Sequence, residues 1–105
     1  MPGDDVTPTP IYFEHRGRRH ALEFASYPNG RLCILARAEG LRRRRILTID
    51  LPDEDLPERH VFLRGDPQDG IYDSLRRRSL IGRPVHYVER GGRLIPMVPL
   101  YMFVR

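Results

Sequence analysis

Lysine is missing from all 105 residues, tryptophan is missing as well, and cysteine occurs once, at Cys33. Each absence closes a line of chemistry. Without a lysine there is no side-chain Schiff base, no ammonium to reach a phosphate from a glycine-rich loop, and no Ser/Lys dyad. A single cysteine excludes an intrachain disulfide and every zinc site built on two thiolates. The lone thiol suits a reducing compartment, so the cytoplasm is the expected location. No apolar run approaches the roughly 18 residues of a membrane span, and no membrane partner is expected. The first ten residues, MPGDDVTPTP, hold neither the basic segment nor the apolar run of a secretory leader.

What is present reads as a small globular chain. Hydrophobic residues make up 40% and charged residues 30%, the proportions of a domain with one core. Residues 1–10, rich in proline and poor in apolar side chains, read as a disordered tail. Residues 11–105 read as a single domain, since no linker divides them.

Periodicity gives the elements. Ile11 to His15 is a strand candidate, and Arg16-Gly17-Arg18-Arg19 reads as a turn. His20 to Tyr27 alternates apolar and polar positions, the mark of a half-buried strand. Pro28-Asn29-Gly30 is the clearest turn, with Gly30 placed where a G1 bulge closes a hairpin onto Arg31–Ala38. Ile46 to Ile49 is strand-like, Leu51 to Glu58 is an acidic loop, and His60 to Arg64 is a short strand. One helix is expected over residues 67–80. Asp66 is its cap, Pro67 suits its first turn, Asp69 faces free N–H groups, and Gly70 allows a later start at Asp69. Arg83–Arg90 and Arg93–Val98 form a hairpin about Gly91-Gly92. Pro96 and Pro99 place the second of these strands near a sheet edge or a bulge. Leu100 to Val104 is an apolar run expected to pack back into the core. The fold class is therefore α+β, mostly antiparallel sheet or a partial barrel, with one short helix.

Charge is segregated along this frame. Residues 31–45 carry six arginines against one glutamate, and residues 46–60 carry five acids against one arginine. Three dense basic groups stand out: Arg16/Arg18/Arg19, Arg42–Arg45 and Arg76–Arg78. A GC-rich genome would account for arginine in place of lysine, but not for the clustering. Arginine at turns and helix ends reaches phosphate through a planar, bidentate fork. The candidate anion-binding residues are Arg18, Arg19, Arg42, Arg43, Arg44, Arg45, Arg76, Arg77 and Arg78, with Tyr12, Tyr27, Tyr72 and Tyr87 as stacking faces. The competing reading pairs these arginines with the acidic loop, as a solvated face worth roughly 0–1 kcal/mol per pair.

Catalytic and metal constellations stay at background. His15, His20, His60 and His86 lack ligand spacing, Cys33 lacks a marked partner, and Ser26, Ser74 and Ser79 lack an elbow motif. Asp53-Glu54-Asp55 lacks the glycine and spacing of a calcium loop. No enzyme activity, metal or cofactor is expected.

The run Tyr27-Pro28-Asn29-Gly30-Arg31, followed by Leu47-Thr48-Ile49-Asp50-Leu51-Pro52, resembles a family of small proteins carried by bacterial plasmids and phages. The shared pattern is Tyr-x-Asn-Gly-Arg, then Leu-Thr-x-x-Leu-Pro, an acidic loop, and a helix opened here by Gly70-Ile71. Gln68-Asp69 stands where that family has a Glu-Asn pair. The resemblance covers roughly residues 11–100 and implies fold and setting more than chemistry: an accessory protein of a mobile element that acts by binding. The expected partner is nucleic acid or a phosphate-bearing ligand. The alternative is a protein-interaction module, either an inhibitor of a host defence protein or a homo-oligomer. Its contact would be Leu100, Tyr101, Met102 and Phe103, or the sheet edge near Pro96.

Overall fold

Alternating side chains build a four-stranded antiparallel meander. Its strands are β1 (Ile11–His15), β2 (Arg18–Ser26), β3 (Leu32–Ala38) and β4 (Arg44–Ile46), in that order. Phe13, Leu22, Ile34 and Ala36 fall on one face and are buried. The computed structural model describes residues 11–64 and 70–102. The expected N-terminal tail, the Asp66–Pro67 helix start, Asp69 and Phe103 lie outside them.

Only Arg16 and Gly17 turn the first hairpin, with φ of 52° and 73°. Positive φ at both central residues gives the turn whose twist matches its strands. The expected four-residue turn is thus corrected: Arg18 and Arg19 already pair, opposite His15 and Glu14. The second hairpin has the expected bulge. Gly30 N–H donates to the Tyr27 carbonyl at 2.8 Å, Tyr27 N–H donates to the Arg31 carbonyl at 2.8 Å, and Gly30 has φ 86°.

The second sheet contains β5 (His60–Phe62), β6 (His86–Arg90) and β7 (Arg93–Pro99), ordered β5-β7-β6. Strand β7 is therefore central, which corrects the edge placement of Pro96 and Pro99. The prolines fit because the flanking strands are short. The Pro96 carbonyl accepts from Leu63 N–H at 2.9 Å, just past the end of β5, so the missing proline N–H has no strand facing it.

A crossing segment stitches the two sheets. The expected strand over residues 46–49 is split, with Ile46 ending β4. Leu47 N–H donates to the Ile34 carbonyl at 2.8 Å, while the Leu47 carbonyl accepts from Arg64 N–H at 2.8 Å. Thr48 bridges to Leu63, and Ile49 N–H donates to the Phe62 carbonyl at 3.0 Å. The two sheets curl together without closing, the open form of the expected partial barrel.

Alternation along the second sheet makes two cores. Val61 and Val98 face the main cluster with Phe13, Leu47, Ile71 and Leu75. Phe62, Val88, Ile95 and Met97 face a smaller cluster lidded by Ile49 of the crossing segment and by Leu51 and Leu56 of the acidic loop. Leu100 and Met102 belong to the main cluster.

Helix α1 spans Ile71–Arg77, shorter than the expected run. Gly70 at its N-cap has φ 75°, so the helical path begins only after it, and among the described residues no side chain caps that end. Ile71 and Leu75 are buried, each contributing about 1.5–3 kcal/mol relative to exposure. The helix lies along β1. His15 Nδ1 and Ser74 Oγ are 2.9 Å apart, and Arg78 Nε–H donates to the Tyr12 carbonyl at 3.3 Å. An open sheet edge is thereby covered.

The residues of the Tyr-x-Asn-Gly-Arg pattern form a clamp. Tyr27 Oη lies 3.0 Å from Thr48 Oγ1. Asn29 Nδ2 donates to the Asp50 carboxylate at 3.0 Å. Arg31 donates to the carbonyls of Leu51 and Glu54, each at 2.7 Å. The pattern thus fixes the crossing segment and the acidic loop against the second hairpin, which is an architectural task.

Candidate anion-binding surface

Strand alternation sends Tyr12, Glu14, Arg19, Arg37 and Arg44 to the outer face of the first sheet, since cross-strand partners share a face. Arg19 stacks its guanidinium 3.6 Å above the Tyr12 ring. Such a contact at an exposed site contributes about 0.5–1 kcal/mol and holds the arginine in place. Glu23 sits between Arg37 and Arg44 and pairs with both, at 3.1 and 2.7 Å.

Two shallow clefts meet at Tyr12 and Arg19. One runs toward the helix and is lined also by Glu14, Ser74, Arg77 and Arg78. The other runs toward the β3–β4 connection and is lined also by Arg37, Glu39 and Arg42. Arginines from three segments more than 20 positions apart in the chain thus line the clefts around one tyrosine: Arg19, Arg42, and the adjacent Arg77 and Arg78. Arg43 is exposed beside Arg42 in the same connection.

The remaining expected residues are placed elsewhere or are occupied. Arg44 is neutralised by Glu23. Arg45 alternates away from Arg44. Arg18 is exposed but alternates away from Arg19. Arg76 pairs with Asp73 at 2.5 Å. Of the expected stacking faces, Tyr12 is covered by Arg19, Tyr27 is held by Thr48, Tyr72 Oη donates to the Leu47 carbonyl, and Tyr87 is exposed on β6. Of the alternative contact residues, Leu100 and Met102 are buried within their own chain, which removes them as a docking surface. Tyr101 is exposed, and Phe103 lies outside the described residues.

The acidic loop serves other arginines. Arg90 pairs with Asp53 and Glu54, each at 2.7 Å, and Arg31 holds the loop carbonyls. Among the described residues, no carboxylate lies within ion-pair distance of Arg18, Arg19, Arg42, Arg43, Arg77 or Arg78. Pairing of these arginines to the loop, the competing reading of the sequence, is therefore not how this fold disposes of its charge.

Tyr12 as the centre of the surface was missed as a focus by the sequence reading. The signal was available once the turn is set at Arg16-Gly17, because that register puts Arg19 across from Glu14 and diagonal to Tyr12. No group of three or more His, Cys, Asp or Glu among the described residues is arranged to hold a metal ion. No helix among them is long and apolar enough to cross a membrane. Comparison with protein-family models, with curated proteins and with solved structures returns no match for the chain.

Proposed function

We propose that the protein is a non-enzymatic binding domain that engages nucleic acid through the arginines gathered around Tyr12. The observation that carries this reading is the convergence of Arg19, Arg42, Arg77 and Arg78 from three distant segments, without carboxylate partners among the described residues. Unpaired guanidinium groups on an exposed face bind phosphate oxygens and release condensed counterions as they do so. The setting implied by the family resemblance, an accessory protein of a plasmid or phage acting in the cytoplasm, belongs to the same proposal.

Binding to fluorescein-labelled DNA, followed by anisotropy across a salt series, tests it. The slope of log K against log salt falls by about 0.7–0.9 for each phosphate contact removed. Replacing Arg42, Arg43, Arg77 and Arg78 together by glutamine flattens the slope by roughly 3 on that scale. A salt-independent complex, or an unchanged slope in the variant, overturns the proposal.

A second reading has its own support. Val85, Tyr87 and Leu94 are exposed apolar residues on or beside the β6–β7 hairpin. They favour a protein partner, a host defence protein or a second copy, docking on the second sheet. Sedimentation across a concentration series separates these, since only a homo-oligomer shifts with concentration.

A further inference from the structure

A third cleft extends the arginine surface past the helix. It is lined by Arg77, Gly82, Arg83 and Tyr101, among others, and by Arg76 with its partner Asp73. Arg77 also lines the cleft toward Tyr12. The three clefts therefore share residues in series: Arg42 to Arg19, Arg19 to Arg77, Arg77 to Arg83. Together they form one basic track from the β3–β4 connection, across the β1 edge and over α1, to the segment that follows it.

Tyr101 marks the far end of the track. It is 60% exposed, although its neighbours Leu100 and Met102 are buried. Its backbone is anchored by a bond from Tyr101 N–H to the Leu80 carbonyl at 2.9 Å. Its ring lies against bare backbone. A β-carbon added at Gly82 would come within 2.7 Å of Tyr101 Cζ and 2.7 Å of Pro99 Cγ. Glycine at this position therefore makes room for the phenol end of the ring, and the exposed side chain lines one cleft with Arg76, Arg77 and Arg83.

The form of nucleic acid follows from what the surface can insert and what it can stack. A duplex is read by an element that enters a groove. Helix α1, the element that the track crosses, has seven residues and is packed along β1 with Ile71, Ser74 and Leu75 buried, so it is not presented for insertion into a groove. An exposed tyrosine flanked by arginines suits an unpaired base, whose face is accessible and whose backbone follows a curved row of cations.

Resting on the nucleic-acid reading above, we infer that the ligand is single-stranded. It runs along Arg42, Arg19, Arg77 and Arg83, with one base stacked on Tyr101. Arg83 and Tyr101 complete the site that the clustered arginines begin.

Anisotropy with labelled oligothymidylate, oligouridylate and a duplex of equal length, at about 50 mM salt, tests this. Both single strands are expected to bind at least about tenfold more tightly than the duplex, with equal affinity for the two meaning that the 2′-hydroxyl is not read. Tyr101→Ala is expected to weaken single-strand binding by about tenfold or more, and Tyr101→Phe to retain it within about twofold, since the ring and not the hydroxyl stacks. Arg83→Gln lowers the salt slope by about 0.7. Melting curves check that the variants fold, which the exposure of both side chains favours. Duplex bound as well as single strand, or Tyr101→Ala binding like wild type, overturns this inference and leaves the arginine reading intact. Failure of all three nucleic acids to bind overturns both.

Discussion

Replacing Thr48 by valine removes one hydroxyl from the junction of the two sheets and leaves the shape almost unchanged. Thr48 is 1% exposed and its Oγ1 accepts from Ile34 N–H at 3.2 Å. That bond stands where a ladder carbonyl would be, because β4 ends at Ile46 and the chain then crosses to the second sheet. Valine leaves the Ile34 N–H buried without a partner, a loss of about 1–3 kcal/mol. Tyr27 Oη keeps the Thr48 carbonyl at 3.2 Å, so its share of the loss is about 0.5 kcal/mol. No cavity forms, since a methyl replaces a hydroxyl of similar size. The sum is about 1.5–3.5 kcal/mol, which lowers the midpoint of a domain this size by roughly 6 °C or more. Thr48→Ser retains the acceptor and loses only a buried methyl, about 1 kcal/mol. Thermal and urea unfolding followed by circular dichroism rank the three proteins wild type, serine, valine. Valine within about 0.5 kcal/mol of wild type, or serine as damaging as valine, would refute the view that the hydroxyl completes the ladder.

Three further outcomes follow from particular residues. Burial raises the Tyr27 phenol above its ordinary value, against a lowering by its bond to Thr48. The folded state therefore favours the protonated phenol; this stability is complete below pH ~10 and is lost as pH rises through the raised value. Alkaline unfolding of Tyr27→Phe should accordingly be less steep above pH ~10 than that of wild type. Ser79 holds φ 56° just past α1 with its side chain exposed, so Ser79→Gly should stabilise by about 0.5–1 kcal/mol, read as a higher urea midpoint. Gly82→Ala should destabilise by about 1–3 kcal/mol, because the Pro99 ring cannot withdraw as the exposed Tyr101 can; melting of Gly82→Ala with and without Tyr101→Ala measures the two contributions.

How much was legible in the sequence depended on whether the signal was local. The Pro28-Asn29-Gly30 hairpin and the Gly91-Gly92 turn carry their conformation in their own residue types, and both form, with Gly91 and Gly92 at φ 57° and 80°. The described helix opens at Ile71, because Gly70 in the left-handed region interrupts the path before it, while the cap-like Asp66, Pro67 and Asp69 lie outside the described residues. The prolines of β7 suggested an edge because strand length, not strand order, governs which of its N–H groups a neighbour would need. At the candidate site, the arginine clusters were visible, and their partners were not. That Glu23 takes Arg37 and Arg44, and that the acidic loop takes Arg31 and Arg90, depends on contacts across 14 to 37 positions. Tyr101 was read as one of four apolar contact residues; strand-like alternation through Leu100 and Met102 separates it from them.

The helix that shields β1 gives the molecule a guarded and an unguarded flank. Five main-chain residues of β1 would meet solvent if Ile71, Ser74 and Leu75 let go, and among the described residues no side-chain cap delays fraying at the start of the seven-residue helix. Partial melting there would offer a template for an incoming strand from another molecule before the sheet itself unfolds. Loss of soluble protein on warming should therefore set in ahead of the main cooperative transition, and the first species to form should be joined through β1 with the remaining architecture intact.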